Sequence, residues 1–363
     1  MKILLVSHAP LTAELGASQI VLNLGAALRD RGHEAAVWTP GPLPPDTRWW
    51  NAWRRLTRAI EEHAADQGPF DVIDSPALSA SRGLAGSGCL VVRSIQPELL
   101  YLFADVRADL TRRLVPSPRS VANALLGFDR AAAILGGWRR ARRIVCLGSW
   151  EQAWMSRRFP RWSGKLGFYV CTPSPTESGA FAEIRSRRVP RPREEGTRFL
   201  WIGRWSAHKG TRRLVRLIGE RASSHPRDRF TLAGCGPAPE RDLPASWLQS
   251  GLVRIVPSYR RDELPDLLAA HDAGLFTSSV EGWGLCLNEM LESGLTVYAT
   301  PAGGVRDLRP FWGSRLRPFP PPADAPEPDG PEPDLDGYLS YFSWPEIARR
   351  YEEEILAARS QDG

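Results

Sequence analysis

Ile3-Leu4-Leu5-Val6 is a short unbroken apolar run that stops at the polar Ser7. After a loop containing Gly16, the apolar positions Ile20, Val21, Leu24, Ala27 and Leu28 return at the 3-3-4 spacing of a buried helix stripe. Gly32 closes that helix and Ala35-Ala36-Val37-Trp38 reads as the next strand. Apolar runs recur at Phe70–Ile73, Cys89–Val92 and Arg143–Cys146, separated by helix-like or loop segments. Such runs alternating with helices predict a parallel sheet with right-handed crossovers. One doubly wound domain is expected over residues 1–170.

Residues 171–196 are rich in Pro, Ser, Glu and Arg and carry no sustained apolar period, so they read as an interdomain linker. The α/β pattern then restarts over 197–337. Strands are predicted at Phe199–Ile202, Phe230–Ala233, Val253–Val256, Ala273–Phe276 and Thr296–Ala299, and helices around Leu214–Ile218, Leu264–Ala270 and Leu287–Leu291. Residues 318–337 are dominated by Pro, Asp and Glu and read as an exposed, poorly ordered loop. The stretch 338–363 ends in an amphipathic run through Trp344, Ile347, Tyr351, Ile355 and Leu356, a helix that must pack somewhere. No internal repeat is visible, which excludes solenoids and propellers.

The 363 residues fit about two domains. Apolar runs stay far below the roughly 20 residues of a membrane-spanning helix, and no secretory signal is readable. Five scattered cysteines without a C-x-x-C pair argue against a disulfide framework and a zinc site. A reducing cytoplasm is expected. Residues 1–190 hold 25 Lys and Arg against 16 Asp and Glu, whereas 191–363 hold 22 against 25. Only Lys2, Lys165 and Lys209 among the 47 basic residues are lysine, so a lysine inside a motif is informative.

No G-x-G-x-x-G follows the first strand and no Walker-type phosphate loop occurs, which disfavours a nicotinamide or flavin enzyme. The candidate chemistry instead follows strands of the second domain, where a doubly wound sheet holds its ligand. Gly203-Arg204-Trp205-Ser206-Ala207-His208-Lys209-Gly210 places a guanidinium and a rare ammonium five residues apart at a helix start, the composition of an anion-binding loop. A solvated turn with incidental charge is the bland reading of the same residues. Ser278-Ser279-Val280-Glu281-Gly282-Trp283-Gly284-Leu285-Cys286-Leu287-Asn288-Glu289 sets two carboxylates eight apart around a glycine loop and a helix start. Carboxylates beside a phosphate are repelled, so Glu281 and Glu289 point to neutral hydroxyls such as those of sugars. Simple helix capping is the alternative.

These motifs resemble the carboxy-terminal domain of retaining GT-B glycosyltransferases, the glycogen-synthase and sucrose-synthase-like group (family four type). The resemblance rests on Glu281-x7-Glu289, Gly203-Arg204-x4-Lys209-Gly210, Gly234-Cys235-Gly236-Pro237, Ser278 three residues before Glu281, and Gly294-x-x-Val297 followed by Gly303-Gly304, over residues 199–308. Met1–Ser7 and Arg31–Val37 are similar to that family more weakly. The resemblance implies an α/β GT-B fold, with two Rossmann-like domains facing each other across a cleft and a tail helix crossing back to the first. It implies that Arg204 and Lys209 neutralise a donor diphosphate, Glu281 binds the transferred sugar, Glu289 binds ribose hydroxyls and the Gly284-Leu285 backbone meets phosphate. Gly16, Gly203, Gly236 and Ser278 would complete the donor site, with no cofactor beyond a nucleotide diphosphate sugar as co-substrate and no metal.

Two positions depart from the family pattern. Gly16-Ala17-Ser18-Gln19 stands where a Gly-Gly-x-Glu loop is usual, and Ile95 stands where a histidine is usual. His8 is a candidate replacement for that histidine, and Tyr259 a candidate contact for the base. The expected activity is transfer of a sugar to an acceptor hydroxyl of a glycan, a lipid-linked molecule or a small molecule. A catalytically silent nucleotide-sugar or glycan-binding protein is the alternative, and a phosphorylase or epimerase on the same fold is a further one. Trp138-Arg139-Arg140-Ala141-Arg142-Arg143 and Trp49-Trp50-x-x-Trp53-Arg54-Arg55 raise a peripheral contact with a membrane's inner face or an acidic glycan, against arginines on solvated helices and tryptophans covering the sheet. Nucleic acid is not expected as a partner, since no recognised motif accompanies the charge.

Overall fold

A computed structural model describes residues 1–12, 14–48, 50–111, 118–189, 192–322 and 331–360. The chain divides into two units, one of Met1–Thr172 with the chain from Tyr341 onward, the other of Pro173–Ser340.

The first unit is built on six strands: β1 (Lys2–Val6), β2 (Glu34–Trp38), β3 (Val72–Ser75), β4 (Cys89–Arg93), β5 (Arg143–Leu147) and β6 (Leu166–Tyr169). All pair in parallel, in the order β2-β1-β3-β4-β5-β6. Ile3, Leu4, Leu5 and Val6 are wholly buried because both faces of a parallel sheet are covered by helices. Strand β6 went unpredicted, being only four residues long and interrupted by Gly167, which weakens strand preference. A Cβ there would displace the Glu354 carboxylate at the end of its side chain on the tail helix.

That tail helix spans Trp344–Arg359, with Ser343 accepting from the Glu346 N–H at its start. Its stripe of Trp344, Ile347, Ala348, Tyr351, Ile355 and Ala358 is buried within the first unit. Glu354 pairs with Arg143 of β5 at 2.5 Å and Glu352 with His33 at 3.0 Å. Inside, the Tyr351 hydroxyl donates to Asp74, which also accepts from Arg93 Nε at 2.9 and 3.0 Å. Arg93 Nη2 in turn donates to the Val6 carbonyl at 3.0 Å, joining β1, β3, β4 and the tail.

The second unit carries β7 (Arg198–Ile202), β8 (Arg229–Ala233), β9 (Val253–Val256), β10 (Ala273–Phe276), β11 (Thr296–Ala299) and β12 (Leu316–Pro318). These are again all parallel, in the order β12-β11-β10-β7-β8-β9. This is the Rossmann order, with its switch point between β7 and β10. Strand β12, three residues ending in proline, was not predicted.

Several expectations need correction. The segment 171–196 is not a plain connection: Pro175–Arg187 is a helix with a Ser174/Glu177 capping box, and it belongs to the second unit. Its apolar signal is weak because only Phe181 is buried along its length. For Trp138 the reading of tryptophans covering the sheet holds: it lies in the core, edge-on to Phe159 and Trp162 at 5.3 and 5.4 Å. Trp49, Pro190, Arg191 and residues 323–330 of the acidic loop fall outside the described residues, and the end of that loop, from Leu335, is helical. No described helix is long and apolar enough to cross a membrane. The five cysteines are free thiols.

Candidate active site

Two loops of the second unit leave the sheet on either side of its switch point. The first follows β7 and turns through Ala207–Lys209 into the helix Thr211–Ser224. The second follows β10 and enters the helix Leu285–Glu292. In an open α/β sheet this crevice outside the strand ends is where ligands bind.

Backbone geometry locks the two loops together. Gly210 adopts φ +72°, and a Cβ there would run into the Thr277 carbonyl oxygen. The Thr277 hydroxyl donates to the Lys209 carbonyl at 2.7 Å and accepts from the Trp201 indole at 2.9 Å. The Ser279 N–H donates to the His208 carbonyl at 2.7 Å. This arrangement brings Lys209 Nζ to 2.5 Å from Glu281 Oε2, which also accepts from the Ser278 hydroxyl at 3.0 Å. Burial pushes the Glu281 carboxyl up, but the Lys209 charge and these hydrogen bonds outweigh it and hold Glu281 below its ordinary value. Burial pulls the Lys209 ammonium down, and Glu281 more than offsets it. Both groups are therefore charged at neutral pH.

Arg204 is exposed, with no ion pair among the described residues, and its charge reaches Lys209. Gly203 turns the chain beside the Lys209 stem, which a Cβ would meet at 3.6 Å. Gly284 takes φ +84° at the start of the helix Leu285–Glu292, where no side chain caps the free N–H groups. A Cβ on Gly284 would press into the Phe276 ring. Leu285 is buried as the first residue of this helix. Beneath the loop, the Trp283 indole donates to Asn288 Oδ1 at 2.6 Å, Asn288 Nδ2 donates to the Tyr338 hydroxyl at 2.8 Å, and that hydroxyl donates to Glu292 at 2.5 Å.

Glu289, one turn into the same helix, is buried and paired through Oε1 with Arg261 at 2.8 Å. Burial pushes its carboxyl up and Arg261 pulls it back. Burial prevails, so the carboxyl stays above its ordinary value, and the charge of Glu177, which accepts from the same guanidinium at 2.6 and 2.9 Å, adds a smaller push upward. Tyr259 lies beside this group. Its phenol is raised by burial and then by the Glu289 charge, it contacts Arg261, and its ring faces Gly234. Gly236, at φ +66°, donates its N–H to the Pro257 carbonyl at 2.8 Å and leaves open space where a Cβ would stand.

The structure thus groups Gly203, Arg204, Lys209, Ser278, Glu281, Gly284, Leu285 and Glu289 around one sheet end, with Gly236 and Tyr259 on the neighbouring loops. Gly16 and His8 belong to the first unit. Gly16 begins the helix Gly16–Asp30. His8 Nε2 lies 2.5 Å from the Ser79 hydroxyl, and burial, then the Arg93 charge, lowers it to about 4, so it is neutral. Arg261 and Glu177 were missed in the sequence, because Arg260-Arg261-Asp262-Glu263 reads as an ordinary charged helix start. Cations beside open backbone N–H groups suit phosphate, and carboxylates with spare lone pairs suit hydroxyls.

Residues 196–310 match the family described as glycosyl transferases group 1. A stretch of 117 residues, 32% of this chain, is 29% identical to the gpi3 subunit of phosphatidylinositol N-acetylglucosaminyltransferase from Schizosaccharomyces pombe and spans 26% of that relative's length. The chain therefore covers about a quarter of this curated relative. Among solved structures, sucrose-phosphate synthase from Thermosynechococcus elongatus superposes with a TM-score of 0.65 at 18% identity, over 99% of this chain and 97% of the other. The Anabaena protein HepE, solved in complex with UDP and glucose, superposes with a TM-score of 0.55 at 17% identity, over 100% and 98%. At these identities the structural likeness shows the fold, and the matched family lies over the loops just described. Through residues 196–310 the chain is thus similar to the group 1 glycosyltransferases, and it takes a GT-B fold of two Rossmann-like units.

Proposed function

We propose that this protein is a retaining glycosyltransferase that moves a sugar from a nucleoside diphosphate sugar to an acceptor hydroxyl without a metal ion. The observation that carries the reading is the Lys209–Glu281 pair at the switch point of the second sheet, with Arg204 open beside it. When the anomeric carbon–oxygen bond to the diphosphate breaks, the acceptor oxygen bonds that carbon, its hydroxyl proton passes to the departing phosphate oxygen, and negative charge collects on that phosphate as the bond breaks. Lys209 has three donors and only one is needed by Glu281, so the others face that charge together with the Arg204 fork. Such preorganised donors each contribute about 3–4 kcal/mol to transition-state stabilisation. Glu281, held charged, accepts from hydroxyls of the sugar, and Glu289 from those of the ribose. The gpi3 relative's name and the solved UDP and glucose complex of HepE support a nucleotide sugar as donor.

The test is a binding and turnover screen against UDP-, GDP-, ADP- and dTDP-sugars with chelator present, using Lys209→Ala as control. Binding of one nucleotide sugar with release of its nucleotide, both weakened in Lys209→Ala and both insensitive to chelator, is the expected result. Binding without release or transfer over a broad acceptor panel would identify a silent binding protein. Absence of binding to every nucleotide sugar would refute the donor-site reading.

A further inference from the structure

Glu289 is held by more than its own helix. Arg261 holds two carboxylates at once: its Nη1 pairs with Glu289 Oε1 at 2.8 Å, and its Nε and Nη2 donate to Glu177 Oε1. Glu177 is itself anchored, its other oxygen accepting from the Ser174 N–H at 3.0 Å and the Ser174 hydroxyl at 2.8 Å. A chain of charge-assisted bonds therefore runs from the capping box of the helix Pro175–Arg187, through the turn after β9, to the helix Leu285–Glu292. Arg261 and Glu177 are each about one-fifth exposed or less, and Glu289 only 3%, so water screens this chain little. Glu289 Oε2 has no hydrogen bond or ion pair among the described residues. One carboxylate oxygen is occupied and the other is left available, in a fixed orientation. Tyr259, touching Arg261, stands at the edge of the same group.

From this geometry we infer that Arg261, braced by Glu177, is a positioning residue that aims the free oxygen of Glu289 at the vicinal hydroxyls of a ribonucleotide and so sets the preference for ribose over deoxyribose. The inference rests on the donor-site reading above. A carboxylate free to rotate would offer its oxygens to water or to either side of the pocket. With Arg261 fixed to Oε1, the remaining lone pairs point one way, and a nucleotide without ribose hydroxyls leaves them unpaired. Burying an unpaired charged acceptor is costly, which is how a polar site rejects an analogue lacking a hydroxyl. A helix in the segment with the least apolar signal thereby becomes part of the donor site's support.

The experiment is calorimetric titration of the full chain with UDP, GDP and ADP, and with the 2′,3′-dideoxy form of whichever binds. It is repeated for Arg261→Met, Arg261→Lys and Glu177→Gln. The expected result is that Arg261→Met weakens the ribonucleotide roughly tenfold or more, the size of one charge-assisted hydrogen bond. The dideoxy nucleotide changes less than about twofold with Arg261→Met, because the bond in question is already absent. Arg261→Lys restores part of the loss and Glu177→Gln shows a smaller loss of the same selectivity. Equal weakening of both nucleotides by Arg261→Met would mean a general structural role and overturn the inference, as would unchanged binding of both. If the unaltered protein binds none of the three nucleotides, the donor-site reading itself has failed, an outcome distinct from a wild type that binds with no selectivity for ribose.

Discussion

Replacing Lys209 by methionine keeps the side-chain length and removes the charge, leaving Glu281 buried with the Ser278 hydroxyl still donating to it. The two side chains are 15% and 10% exposed and 2.5 Å apart. At an effective dielectric of about 20, opposite unit charges at that separation attract by roughly 6–7 kcal/mol. Desolvation of both ions offsets part of this, and breaking such a pair by removing one partner costs about 3–5 kcal/mol. Lys209→Met is therefore expected to lose about 3 kcal/mol or more in urea unfolding followed by circular dichroism. Adding Glu281→Gln should recover most of that, because a neutral amide beside methionine no longer strands a charge. The pH dependence supplies a second check. In the natural protein Glu281 sits below its unfolded value of about 4.3, so its contribution is present above that pH and is lost as pH falls through the folded value. Lys209 sits above its unfolded value, so its contribution is present below about pH 10.4 and is lost as pH rises through the folded value. Without Lys209, burial outweighs the remaining Ser278 hydrogen bond and Glu281 rises above about 4.3. The folded state then binds the extra proton, and stability falls as pH rises through that window. A loss below about 1 kcal/mol, or a double variant whose cost is the sum of the single ones within about 0.5 kcal/mol, would refute the reasoning.

Gly210→Ala should abolish nucleotide affinity and lower thermal stability, because its left-handed backbone costs about 1–2 kcal/mol and the Thr277 carbonyl must move as well. Gly236→Ala, equally left-handed but with open space around it, should cost only the backbone share, and thermal shift plus nucleotide titration separate the two. His8, lowered to about 4, binds fewer protons folded than unfolded between that value and about 6.5. Stability should therefore fall as pH drops through this window, and His8→Gln should flatten the slope in urea unfolding at pH 4 to 7.

Part of the site was legible from residue types alone. A lysine in a chain that almost always uses arginine, and two glutamates around a glycine loop, marked the loops after β7 and β10 before any contact was known. Fold class was legible for a similar reason: buried parallel strands such as Ile3–Val6 leave continuous apolar runs. Strands β6 and β12 were not, since four residues around Gly167 and three residues ending in Pro318 carry too little pattern. The helix Pro175–Arg187 escaped because it buries a single aromatic residue, and its capping box, though present as Ser174-x-x-Glu177, was outweighed by the surrounding proline and arginine.

The sequence by itself determined which chemistry the second unit can hold, because charge, hydroxyl and backbone freedom belong to residue types and their local spacing. It also determined the α/β alternation, since periodicity is a property of consecutive positions. Only the tertiary structure decided partners distant along the chain: Lys209 with Glu281, Arg261 between Glu177 and Glu289, and Tyr351 with Asp74. The reason is physical. Strand order in a sheet is set by crossovers between separated segments, and the order that places β7 beside β10 is what brings two loops, 72 residues apart in the chain, to one hydrogen-bond length.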